Sequence, residues 1–143
     1  MPEPIPVAEF IALLNTHWSA SNVTKPVLSE RNNGTSERID LNRGDYCIGS
    51  PGSPTLDEEP IGNWTYVNRT YTVSIELTTK VSRQRLYDLV AEVRRVCHSK
   101  LHNMTNFQRV QFSSFNESVD DALHIWQGTC DIQLTNANII AET

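Results

Sequence analysis

The chain has 143 residues, 38% of them hydrophobic and 20% charged, which is long enough to bury a core without staples and balanced like a folded domain. Its formal net charge of −5 excludes non-specific nucleic-acid binding as the main role, because that role needs a basic footprint. No apolar run approaches the roughly 20 residues that span a bilayer, and Met1-Pro2-Glu3-Pro4 lacks the basic start of a secretion signal, so neither a membrane nor export is expected.

Pro6 suits the opening turn of a helix. Val7, Phe10, Ile11, Leu14 and Trp18 then form an apolar stripe at helical spacing, and Ser19-Ala20-Ser21-Asn22 ends it. Val27-Leu28 reads as a short strand and Asn32-Asn33-Gly34-Thr35 as a turn, since Asn and Gly tolerate positive φ. Residues 39–41 are a short pairing segment before a turn at Asn42-Arg43-Gly44, and Asp45-Tyr46-Cys47-Ile48 is a strand. Residues 49–62 are rich in Gly, Pro and Ser and carry the acidic knot Asp57-Glu58-Glu59-Pro60. They read as a long loop, and loops of that length usually have a functional reason.

From residue 64 to 79 the chain alternates. Val67, Tyr71, Val73, Ile75 and Leu77 share one face, and Asn68, Thr70, Thr72, Ser74, Glu76 and Thr78 share the other, the mark of a strand with one buried side. The second helix is the plainest element. Leu86, Leu89, Val90, Val93, Cys97 and Leu101 fall at steps of three and four. Ser82 is placed to cap it, Val81 and Leu86 are spaced as a hydrophobic staple, and Arg83, Asp88, Arg94, Arg95 and Ser99 form the polar side. Residues 109–115 read as a strand, 116–121 as a polar loop, and 123–134 as the last strand, with His124, Trp126, Cys130, Ile132 and Leu134 on one face. The polar tail from 135 to 143 follows.

This order predicts one α+β domain spanning residues 1–143, with a long loop at about 49–63. Two helices pack on one face of a mainly antiparallel sheet, and the other face meets water or another subunit.

The chemistry of a catalytic or metal site is not legible. Cys47, Cys97 and Cys130 are odd in number and lack a Cys-x-x-Cys pair, so reduced, partly buried thiols are expected. His98 and His102 are four apart on the helix, close enough to share a metal, yet no third ligand follows. His17 and His124 have no nucleophile at a known spacing. Gly49-Ser50-Pro51-Gly52-Ser53 lacks the Gly-Lys-Ser/Thr ending of a phosphate loop, and Arg43-Gly44-Asp45 reads as chance at a turn. No catalytic residue, cofactor or metal ligand is assigned, and no enzyme is expected. What remains is surface: Leu56, Asp57, Glu58, Glu59 and Ile61 in the long segment, with Trp64 and Tyr66 on the strand after it. Apolar and aromatic side chains outside the core are the usual anchors of a protein interface.

The layout is similar to the tail terminator (tail completion) proteins of long-tailed phages and related archaeal viruses. The likeness rests on the helix at residues 7–18, the strands with a long hairpin segment, the strand at 71–77, the helix opened by Ser82 and the closing strands at 110–115 and 123–134. It is one of element order, length and texture and covers most of the chain.

The resemblance implies a structural subunit, made in the host cytoplasm and found in the virion at the tail or neck. It implies a homo-oligomer, a hexameric ring, that caps the tail tube protein and meets the head–tail connector protein. DNA would pass through the lumen without specific binding. Other readings stay open: a head–tail neck or minor tail protein of similar build, or a small soluble enzyme or metal-binding domain using His98 and His102. The Asn-x-Ser/Thr sequons at Asn22, Asn33, Asn63, Asn68, Asn103 and Asn116 suggest a further alternative, an extracellular glycoprotein domain.

Overall fold

The structure, a computed structural model, describes residues 5–30, 41, 44–62, 66–100, 104, 106–120 and 124–140, with the backbone alone at 119–120 and 138–140. Helix α1 (Pro6–His17) is followed by strands β1 (Val27–Glu30), β2 (Tyr46–Ile61) and β3 (Tyr66–Thr79), helix α2 (Arg83–Ser99), and strands β4 (Arg109–Asp120) and β5 (Ile125–Ile140). The strands form a five-stranded sheet in the order β1-β2-β3-β5-β4. Only β1 and β2 run parallel; the other neighbours are antiparallel. The α+β class with two helices against a mainly antiparallel sheet is as the sequence pattern predicts.

Each helix is positioned by its own residues. Pro6 opens α1, which has no side-chain cap, and Val7, Phe10 and Leu14 are its buried positions. Helix α2 starts where expected: Ser82 Oγ accepts the Arg85 N–H over 3.1 Å, satisfying one of the free donors of the first turn. Leu86, Leu89, Val90, Val93 and Cys97 are all buried. Val81 is 57% exposed, so the staple half of that reading contributes little, and Leu101 lies outside the described residues. Helix α1 packs on β1, β2 and β3, and α2 on β3, β4 and β5. The buried side chains of both helices join Val73, Ile75 and Leu77 of β3 and Cys130, Ile132 and Leu134 of β5 in one core.

Two close approaches fix the sheet's inner surface. At Gly49 a Cβ would lie 3.0 Å from Val7 and Ile11, so α1 rests almost on the backbone of β2. At Gly128 a Cβ would lie 2.5 Å from the Phe115 ring, which covers that glycine and meets Tyr87 of α2 edge-on at 5.8 Å. Tyr46 and Ile48 alternate with Cys47 and pair with Thr78 and Glu76, on the side away from the helices. Both are buried and stand apart from the main core.

Three expectations are corrected. Residues 49–62 do not form a loop: β2 runs through to Ile61, paired with β3 across a single irregularity between Pro51 and Leu56. Among the described residues β1 pairs with β2 only as far as Gly49, so on that side of β2 Pro51, Pro54 and Pro60 fall where no described strand needs the N–H that proline lacks. Residues 116–120 are strand as well, since β5 supplies partners as far as Ile125 opposite Asp120. Part of the tail also belongs to the sheet, with β5 reaching Ile140 opposite Tyr66. The turns and short segment expected at 32–43 fall almost wholly outside the described residues.

Candidate functional site

The strands run past the helices. Beyond Tyr71, which meets Phe107 edge-on at 5.3 Å and closes the core, β2, β3 and β5 continue together as an arm. Its register is Asp57↔Thr70, Glu58↔Arg69, Glu59↔Asn68, Pro60↔Val67 and Ile61↔Tyr66. On the other side of β3, Thr70 pairs with Thr135 and Tyr66 with Ile140.

The structure thus brings Leu56, Asp57, Glu58, Glu59, Ile61 and Tyr66 onto one hairpin; Trp64 lies outside the described residues. Alternation in β3 places Arg69 on the same side as Tyr71, and with it Leu56 and Glu58. Asp57, Glu59, Ile61 and Tyr66 share the opposite side. Asp57, Glu58 and Glu59 are exposed, as are Leu56 at 43% and Tyr66 at 44%. Each side of the arm therefore shows a large apolar side chain and carboxylates. Arg69 binds Glu58 with Nε 2.6 Å from Oε1. Arg69 was not among the sequence candidates, although a cation on a strand opposite an acidic run is a readable cross-strand signal.

The two strands of the hairpin come close together near its base. At Gly52 a Cβ would lie 2.4 Å from the Thr72 side chain, so only glycine lets the two strands approach there. The Thr55 hydroxyl donates to the Gly52 carbonyl over 3.1 Å. Gly62 adopts φ +66° at the hairpin end, a left-handed conformation that favours glycine.

A second polar cluster was missed from sequence. Glu92 on α2 is 2% exposed and accepts the Ser19 N–H at 2.7 Å, the Asn22 amide at 3.0 Å and two Arg95 N–H groups at 2.7 Å each. Arg95 also donates to the His17 carbonyl over 2.8 Å. Burial pushes the Glu92 carboxyl up, but bonds from Arg95, Asn22 and Ser19 outweigh this and hold it below the usual range. The signal was present: Glu92 follows Leu89 by three and precedes Val96 by four, on the flank of the apolar stripe. Every acceptor position is used to lock the end of α1 onto α2, so the cluster is structural.

Other candidates for chemistry are not brought together. Cys47, Cys97 and Cys130 are free and buried; burial pushes Cys97 and Cys130 up to about 12 and Cys47 higher still, so none carries a thiolate at neutral pH. His98 is exposed, while His102 lies outside the described residues. His124 occupies the turn into β5 with φ +53°. Asp45 is buried and accepts the Thr79 hydroxyl over 2.6 Å, so its carboxylate is engaged within the fold. Among the described residues, no three His, Cys, Asp or Glu side chains converge on a point that would hold a metal, and no helix is long and apolar enough to cross a membrane. A cavity of about 400 Å³ opens beside α1 between Glu9, Leu13, His17 and Met104. Glu9 in its wall is already bonded to Asn106.

No protein-family model matches the chain, and no curated protein sequence matches it. Among solved structures, it is similar to a chain of the virion of native gene transfer agent (GTA) particle, with a TM-score of 0.60 at 10% identity, over 90% of this chain and 91% of that one. At that identity the likeness concerns the fold. The overall fold is thus one that a virion chain also uses.

Proposed function

We propose that this chain is a structural subunit of a virus or virus-like particle, and specifically a tail terminator: a ring that caps the tail tube and offers a surface to the head–tail connector. The observation that carries the reading is the arm. Three strands leave the body with exposed Leu56 and Tyr66 on opposite sides, and a free chain keeps such apolar surface when another protein completes it. The shared fold with a virion chain supports the same class. A net charge of −5 suits a lumen through which DNA passes without being held.

In this reading the protein is not an enzyme, is located in the virion and works by geometry alone. Subunits join edge to edge, the arm makes contacts between them or with the tube, and ring closure stops tube growth. The test is to mix purified chain with a tail tube protein from the same virus or particle and view the product by electron microscopy. The expected result is tubes of one fixed end structure, each closed by a ring of this chain. Bare tubes, with no protein at either end, would contradict the proposal.

A further inference from the structure

The outward face of α2 differs from the arm in charge. Tyr87, Ala91, Arg94 and His98 are exposed along it, and α2 carries four arginines, at 83, 85, 94 and 95. Three of these have carboxylate partners within the chain: Arg83 meets Glu117 at 2.7 Å, Arg85 meets Asp45 at 3.4 Å and Arg95 meets Glu92 at 2.7 Å. Arg94 has none among the described residues. His98 stands one turn further on, and Lys100 follows the helix. Exposed, and with no carboxylate partner among the described residues, Arg94 marks a cationic end on a chain whose overall balance is acidic.

The arm has the opposite imbalance. Glu58 is neutralised by Arg69 on one side. On the other side Asp57 and Glu59 are exposed with no cation bound to them among the described residues, and Tyr66 beside them is 44% exposed. The two surfaces are thus complementary twice over: carboxylates against an exposed arginine and a histidine, and an exposed tyrosine against Tyr87, which is also 44% exposed.

We propose that the occupant of the α2 face is the arm of a second copy, with Asp57 and Glu59 set against Arg94 and His98, and Tyr66 against Tyr87. This rests on the ring reading and names its contact. Because the arm and α2 are different surfaces, the contact is head-to-tail, and repetition of such a contact closes into a ring when the rotation permits. Like charges also disfavour the competing arm-to-arm pairing.

Charge reversal tests it. Particle mass is measured by mass photometry for the full chain, for Asp57→Arg/Glu59→Arg, for Arg94→Glu, and for the chain carrying all these changes. Thermal melting confirms that each variant folds; the positions are exposed on separate elements, so the two sides test the contact independently. Each one-sided reversal is expected to weaken assembly about tenfold or more, because like charges then face each other, and the fully reversed chain is expected to recover. Mixing the two one-sided variants is expected to restore assembly, because each copy's arm then meets an α2 face of opposite charge on the other; no recovery in the mixture would count against the contact. Rings that persist in both one-sided variants would overturn this contact while leaving the ring reading intact, as would failure of the fully reversed chain to recover. A full chain that never assembles would remove the ring reading itself, and this contact with it.

Discussion

Ser19 donates its backbone N–H to the Glu92 carboxylate at 2.7 Å, across 73 residues of sequence. That bond ties the end of α1 to the middle of α2 and lets the two helices act as one layer over the sheet. Replacing Glu92 with alanine leaves the Ser19 N–H and the Asn22 amide without their acceptor. The expected loss is about 2 kcal/mol, the range for hydrogen bonds to a charged group, since Arg95 keeps access to water. Urea unfolding of Glu92→Ala against the unaltered chain measures it.

The same carboxylate sets a pH dependence. Burial raises the Glu92 carboxyl, yet the bonds from Arg95, Asn22 and Ser19 leave it lower in the folded chain than its ordinary value of 4.5. A carboxyl depressed by folding contributes stability in full above its unfolded value and loses it as pH falls through the folded one. Glu92→Gln is therefore expected to cost a constant amount near neutral pH, with the difference shrinking progressively below 4.5. Comparison with the unaltered chain at each pH isolates Glu92 from Glu117, whose carboxyl is also lowered, first by its bond from Arg83.

Gly128 lies beneath Phe115, and a methyl group there would come 2.5 Å from the ring. Gly128→Ala is expected to destabilise the fold by about 2 kcal/mol through overpacking. Phe115→Leu in the same chain should return part of it by freeing that space. Thermal unfolding of the single and double variants decides the point, and additive losses would show that the two positions do not interact.

Cys47, Cys97 and Cys130 are expected to be silent toward a thiol-specific reagent at pH 8 in the native state and to react, all three, in denaturant. Burial raises these thiols from 9.0. The folded state keeps its proton where the unfolded chain would lose it, so stability falls as pH rises above 9.0. A fast native reaction at pH 8 would place at least one thiol at the surface.

Much of the body was legible in the sequence because its signals are local. The spacing of Leu86, Leu89, Val90 and Val93 and the Ser82 cap define α2 without reference to any other element. Alternation through Val73, Ile75 and Leu77 defines β3 in the same way. The strand run at Pro51 to Ile61 was not legible. Its prolines and acidic knot look like a loop when read alone, and the strand exists because β3 lies beside it and pairs with it as far as Ile61. The polar run at 116–120 was lost for the same reason, since β5 supplies its ladder. The candidate interface residues in β2 and Tyr66 were singled out by composition, and pairing with β3 sets them on one hairpin. Arg69 and Glu92 were missed because their roles come from partners distant in sequence.

Glycine 49 offers a test of how closely α1 rests on the sheet. A Cβ there would sit 3.0 Å from Val7 and Ile11, contacts that a helix can relieve only by moving. Gly49→Val is expected to cost about 2 kcal/mol, whereas Gly62→Asn at the hairpin end is expected to be nearly neutral, because Asn tolerates the left-handed region. Chemical denaturation of the two variants separates packing strain from backbone strain.

The central claim is that the exposed arm is completed by further copies of the chain. Sedimentation velocity of the full chain, followed from low micromolar to the highest soluble concentration, addresses it most directly. A discrete ring-sized species is expected to grow with concentration at the expense of monomer and to dissociate in high salt. A single monomeric boundary at every concentration and salt would contradict it.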